Sequence, residues 1–300
     1  MSSTVSVTVL SIMIFLCLVI SLANAFTIFV FWINRRKLHR TWLLLLNLAV
    51  ADLLVGFTEI LVVTTFVLPR HIMVFQVHDT PANIARLLEA LFSSASVFFL
   101  VLIAVERAFA VLWPLRHRVT STKAYIYSVE VAWLTGVTLG AMHLLVLHDL
   151  MQHKYYVIVY GSIIGISLAV VCGLYLLMRT RLSHRRNAFD VTRNKQIAKQ
   201  KSKLSKTLFI VVAGSVMLWV PSLVIYLVHC DHQELFPAKN LIYMATMLQL
   251  TNSLLNPIIY SLRLPVFRDT LKRLKNKLKV RKRSKEYTIN LKIRTGGEIN

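Results

Sequence analysis

Apolar residues gather into seven long runs, at about 5–32, 41–68, 84–112, 124–147, 155–180, 204–229 and 240–262, each bounded by short polar or basic stretches. Each run is long enough to cross a hydrocarbon core, which takes about 20 apolar residues as an α-helix. The pattern predicts an all-α membrane protein built as a seven-transmembrane helix bundle. The first run lacks a basic leading region and is too long for a cleaved leader, so it is expected to stay as a helix. After Leu264-Pro265, residues Val266, Phe267, Thr270, Leu271, Leu274 and Leu278 recur at helical spacing among Lys and Arg. That spacing predicts a short amphipathic eighth helix on a membrane surface. The expected plan is a short N-terminus at 1–7, a membrane domain at 8–262, the amphipathic helix at 263–282 and a disordered basic tail at 283–300.

Composition agrees: 56% of the 300 residues are hydrophobic and 16% are charged, with a mean hydropathy of +0.61. Soluble domains are rarely so apolar. Charge then sets direction. Of the 35 Lys and Arg, 31 fall in 33–40, 107–123, 179–206 and 263–300, leaving Arg70, Arg86, Lys154 and Lys239 for the opposite side. Basic loops stay in the cytosol. The chain is therefore expected as a multi-pass plasma-membrane protein, with its N-terminus extracellular and its C-terminus cytoplasmic. The net charge of +22 marks a surface for anionic inner-leaflet lipids, not for nucleic acid. Cys17 and Cys172 lie inside apolar runs, and Cys230 near the outer end of the sixth has no evident outer partner, so no outer disulfide is expected.

Polar residues inside a membrane are costly and mark function by default. Asp52 lies mid-run and needs a proton, a cation or several donors. The third run offers Ser96. The seventh offers Asn252, Ser253 and Asn256, three or four residues apart and so on one helical face. These oxygens suit either a hydrogen-bond network or a small hard cation. Glu89, Ser93, Ser96 and Arg107 share one stripe of the third run. Eighteen residues separate Glu89 from Arg107, about 27 Å of helix, so Glu89 belongs near the outer mouth when Arg107 is at the inner surface. Glu59, two turns outward from Asp52, is placed to share an outer cavity. Glu106 and Arg107 are adjacent and can pair at the inner boundary, although Arg107 can also snorkel. Pro221, after Trp219, and Pro257, after Asn256, each remove a helix hydrogen bond and predict two bendable helices.

Taken in order, Asn24, Asn47-Leu48-Ala49-Val50-Ala51-Asp52, Glu106-Arg107-Ala108, Pro114-Leu115-Arg116, Trp133, Tyr175, Trp219-x-Pro221 and Asn256-Pro257-x-x-Tyr260 resemble the rhodopsin-like G-protein-coupled receptors over nearly all of residues 8–280. The resemblance implies a receptor, not an enzyme, that promotes nucleotide exchange on a heterotrimeric G protein when an extracellular ligand binds. The ligand is expected to be a small molecule, lipid or short peptide. It further implies a switch of Glu106, Arg107, Tyr175, Pro221, Asn256, Pro257 and Tyr260. The implied ligand-facing set is Glu59, Glu89, Ser93, Trp219, Ser222 and Tyr243. The implied sodium pocket is Asp52, Ser96, Asn252, Ser253 and Asn256, with sodium as an allosteric modulator and no other cofactor.

Several positions depart from the family pattern. The outer Cys of the third run is missing near Ala82. Ser167 replaces a Pro, Ser215 a Phe, and Ala108 the aromatic after the Arg, while Lys201 stands where some relatives carry an acid that locks Arg107. These departures predict appreciable basal activity. The missing disulfide resembles the melanocortin, cannabinoid and lysophospholipid receptors. Glu89 stands where biogenic-amine receptors keep an Asp, which leaves an amine paired with Glu89 as an alternative. A membrane transporter is the alternative from another class, but the internal repeat it would carry is absent.

Overall fold

The computed structural model describes residues 2–35, 40–64, 79–188, 213–228 and 239–295. The expectations for Lys201, Cys230 and most of the third inner connection lie outside these residues. Eight long helices follow in order: α1 Ser2–Ile33, α2 Trp42–Val62, α3 Asp79–Leu112, α4 Thr122–Leu147, α5 His153–Ala188, α6 Ala213–Val228, α7 Lys239–Arg263 and α8 Pro265–Thr295. A short helix, Pro114–Val119, links α3 to α4.

Among the described residues, five helices, α1 to α5, are long and apolar enough to cross a membrane. The described part of α6 is apolar but shorter. The α7 helix has the length, but Gln249, Asn252, Ser253 and Asn256 lower its apolarity. Two ends differ from expectation. Residues 2–7 continue α1 outward, since no Gly or Pro interrupts them. The last helix, expected to stop at 282, runs to Thr295. Its extension carries Arg283, Lys285, Glu286, Leu291, Lys292 and Arg294, residue types that favour helix without needing a buried face.

The chain divides into two compact units, Met1–Pro257 and Ile258–Asn300. In the first unit α3 is the hub, packing against α2, α4 and α5, while α1 packs on α2. Ala95, Val97, Phe99, Leu100, Ile103 and Ala104 bury the inward face of α3. Trp133 of α4 lays its ring edge-on to Phe99 at 5.6 Å and donates its indole N–H to Asn47 Oδ1 at 2.9 Å, joining α4 to α2. Outward-facing residues such as Phe15, Leu22, Val131, Leu134 and Ile166 are large, apolar and exposed, a surface suited to lipid.

Small residues permit the closest approaches. A Cβ at Gly136 would lie 2.8 Å from the Leu91 carbonyl oxygen, and one at Gly140 would lie 2.9 Å from Leu91 Cβ. The two glycines let α4 seat directly on α3, as small residues do between membrane helices. At the inner start of α4 the Ser121 hydroxyl accepts from the Ala124 N–H at 3.4 Å. At its other end Asp149 adopts φ 56°, and Leu150 and Met151 both donate to the Leu145 carbonyl. Asp tolerates this left-handed turn better than most residues, so α4 and α5 are joined by a very short link.

In the second unit Phe267 is buried and its ring lies 6.3 Å from Tyr260. Thr270 is buried beside it in sequence register, while Lys272, Arg273 and Lys275 are exposed. Leu271 is exposed, so the apolar stripe of α8 is narrower than the sequence pattern suggests.

The α3–α4 contact makes a direct prediction. Gly136→Ala forces a methyl against backbone and should destabilise the protein by about 1–3 kcal/mol. Ala at the open Gly165, where a Cβ would meet nothing within 4 Å, should not. Thermal melting of both purified variants checks the contrast.

Candidate functional site

Asp52 is fully buried at the middle of α2. Its Oδ1 accepts from Ser96 Oγ of α3 at 2.7 Å, and its Oδ2 accepts from Asn256 Nδ2 of α7 at 2.8 Å. Ser253 is buried on the same face of α7. One turn away in the same cluster, Asn24 Nδ2 of α1 donates to the Ser253 carbonyl at 3.2 Å and to its own Ile20 carbonyl at 3.0 Å. Four helices are thus tied through one carboxylate and its neighbours. The spacing that puts Asn252, Ser253 and Asn256 on one face of α7 is what aims them here. Pro257 follows directly and leaves a carbonyl of that turn without its usual donor.

A cavity adjoins this cluster. Val55, Glu89, Ser93, Ser96, Trp219 and Asn252 are in its wall, together with Thr246, Gln249, Leu250 and Ser253. It offers about 10 Å³ to the centre of a water molecule, room for about one water. The cavity therefore runs from the outer carboxylate Glu89 to the neighbours of Asp52. Among the described residues, two polar atoms of its lining side chains, Trp219 Nε1 and Asn252 Oδ1, are buried and have no hydrogen-bond partner. Asp52 is met by the Ser96 hydroxyl and the Asn256 amide nitrogen, and the buried Asn252 Oδ1 is a further hard oxygen nearby. This donor set fits a small hard cation.

Not every expected ligand-facing residue joins this wall. Glu89, Ser93 and Trp219 do. Ser222 is fully buried, and its hydroxyl is used by the Trp219 carbonyl at 2.8 Å. Tyr243 packs instead against the α1 cluster of Leu10, Met13 and Cys17. Glu59 is buried one turn beyond Val55, and its Oε2 has no hydrogen-bond partner. Thr246 and Gln249 were not singled out from the sequence, although they continue the α7 face of Asn252, Ser253 and Asn256 at helical spacing.

At the end of α3 away from Glu89 a second carboxylate gathers polar groups. Glu106 Oε2 pairs with Arg107 Nε at 2.8 Å. Its Oε1 accepts from Thr41 Oγ1 at the head of α2 at 2.9 Å and from the Tyr125 hydroxyl of α4 at 3.4 Å. His117 Nε2, on the short linking helix, lies 2.9 Å from the same oxygen and 3.3 Å from the Tyr125 hydroxyl. Glu106 is buried, while Arg107 is 24% exposed. Thr41, His117 and Tyr125 carried no sequence signal, because none is at helical spacing from Glu106. Tyr175 is buried against Ala108 and Met178. Pro221 lies within α6, while Tyr260 belongs to the second unit.

The family model for the 7 transmembrane receptor (rhodopsin family) matches residues 23–260. The chain belongs to this family. It is a G-protein-coupled receptor with the family's seven-transmembrane bundle, a multi-pass membrane protein and not an enzyme, and its family couples to heterotrimeric G proteins. The transporter alternative is not favoured. Among curated relatives, the adenosine receptor A3 of Ovis aries is 24% identical over 89% of each chain. The trace amine-associated receptor 13c of Danio rerio is 29% identical over 77% of this chain and 74% of its own. The sphingosine 1-phosphate receptor 1 of Danio rerio is 25% identical over 84% and 73%. Their names span three unlike ligands, so the relatives do not point to one ligand class for this receptor.

The Asp52 cluster predicts a graded response. Asp52→Ala leaves the Ser96 and Asn256 donors buried without an acceptor and should cost about 1–3 kcal/mol for each unsatisfied group. Asp52→Asn keeps an acceptor and should cost less. Thermal melting of the two variants against wild type measures the order.

Proposed function

We propose that an extracellular ligand widens the one-water cavity from its end at Glu89, Ser93 and Trp219 and favours a bundle in which Arg107 leaves Glu106 and meets the G protein, with Tyr175 and Tyr260 assisting. The observation that carries this is the single cavity wall running from Glu89 to Ser96, Asn252 and Ser253, the neighbours of Asp52. A group seated at the outer end touches the same wall that the central carboxylate organises. A ligand shifts such an equilibrium only by its differential affinity for the two states. Pro221 and Pro257 supply the bendable points in α6 and α7.

The ligand is a small molecule, lipid or short peptide. An amine paired with Glu89 is the second reading, favoured by the place of that carboxylate in the cavity wall. The N-terminus lies outside and α8 inside. The exposed Lys272, Arg273, Lys275, Lys277, Lys279 and Arg281 of α8 suit anionic inner-leaflet lipids.

Asp52, with Ser96, Asn252, Ser253 and Asn256, would hold sodium as an allosteric modulator. A cation there supplies the charge that the hydroxyl and amide donors only partly offset. Basal activity is expected for three reasons. The Ser215 hydroxyl is buried without a hydrogen-bond partner, Ser167 is satisfied within its own helix, and Ala108 offers no ring behind Arg107.

Two measurements on receptor in lipid nanodiscs with purified G protein test this. Glu106→Gln removes the charge that holds Arg107 and should raise ligand-free nucleotide exchange several-fold; an unchanged rate would sink the role of the pair. Replacing sodium with N-methylglucamine should raise exchange in wild type and leave Asp52→Asn unaffected. Equal responses would remove Asp52 from any sodium site.

A further inference from the structure

Glu106 is buried, and its carboxylate pairs with Arg107 at 2.8 Å. If Arg107 leaves, as proposed above, the carboxylate stays behind. A buried carboxylate that loses its partner is strongly destabilising unless it takes up a proton itself or another cation takes over. Thr41 and Tyr125 are neutral donors and cannot restore the charge. His117 can, because its Nε2 already sits 2.9 Å from Glu106 Oε1, on the oxygen that Arg107 does not use. Its ring is steadied edge-on by Phe109 at 6.0 Å. Imidazole is the side chain whose ordinary charge change falls between about pH 5 and 8.

We infer that His117 is a positioning residue of the switch: it takes up a proton as Arg107 departs and so replaces the cation on Glu106. The proton comes from the cytosolic solvent and sits on the imidazole ring. In the resting state Arg107 neutralises Glu106 and repels a second positive charge at His117. In the released state that repulsion is gone and the carboxylate is unpaired. The released state therefore binds the proton more tightly, and lowering the pH favours release.

The groups around His117 are consistent with this sign. Thr41 and Arg40 face the cluster from the head of α2, Glu106, Arg107 and Phe109 from α3, and Tyr125 from α4. Arg116 and Arg118 flank it on its own helix and are exposed. Of these groups, Arg107 and His117 are the ones that pair with Glu106. The structure places His117 there through the turn that Pro114 begins. Pro114 is the first residue of that helix, and the His117 N–H closes its turn on the Trp113 carbonyl at 3.0 Å.

The test is ligand-free nucleotide exchange by full-length receptor in nanodiscs, followed from about pH 6 to 8 beside His117→Gln and His117→Lys. Gln keeps a donor without the charge, and Lys keeps the charge throughout. Wild-type exchange should rise as pH falls, by at most about tenfold per pH unit, the limit for one proton. His117→Gln should stay low and flat, and His117→Lys high and flat, each relative to G protein alone. Every other histidine is present in all the variants, so its contribution cancels. Superimposable wild-type and Gln profiles overturn the inference, as does a Lys variant no more active than wild type at high pH. Melting curves identify a variant that fails to fold, and the other then carries the comparison. If Glu106→Gln raises exchange while these profiles coincide, the release of Arg107 stands and the role of His117 alone fails. If no variant promotes exchange, both fail together.

Discussion

A carboxylate with no exposed surface in the middle of a membrane bundle is the constraint on which this architecture depends. Asp52 cannot be solvated by lipid, and its burial is tolerable only because donors converge on it from other helices. Ser96 and Asn256 supply two of them, from α3 and α7, and Asn24 draws α1 to the same turn of α7. The apolar faces of these helices could pack in several rotations. The polar cluster selects the one in which all partners meet. That the selection is made by polar groups follows from the solvent: lipid tails give apolar side chains little reason to prefer one another.

The same demand shapes the inner end with a different solution. Glu106 is compensated locally, by the next residue in sequence and by three groups from the head of α2, the linking helix and α4. The site thus has one carboxylate held by neutral donors and one held by a cation. The cavity, with the Trp219 indole and the Asn252 amide oxygen among its lining groups, lies on the Glu89 side of Asp52, away from Glu106.

Much of the fold was legible in the sequence because lipid demands long uninterrupted apolar runs, and such runs are local. The ends of α1 and α8 were less legible. Apolarity marks where a helix enters the membrane and not where its hydrogen bonding stops, so α8 continues through charged residues to Thr295. Of the site, Asp52, Ser96, Ser253 and Asn256 could be grouped because each is an isolated polar residue in an apolar run. Ser222 and Tyr243 could not be judged the same way. A hydroxyl that turns back to its own helix and one that faces a cavity look alike in sequence.

What the chain determined by itself was the number of its apolar segments, the side on which its positive charge gathers and the family to which its motifs belong. These are properties of composition and order along one strand of residues. Only the tertiary structure decided that Thr41, His117 and Tyr125 share one carboxylate oxygen with Glu106, and that Glu59 is buried outside the described cavity wall while Glu89 is in it. Those facts depend on how helices distant in sequence are rotated against one another. That rotation is set by close contacts such as Gly136 on Leu91 and by the pairing of buried polar groups, neither of which leaves a periodic trace in the sequence.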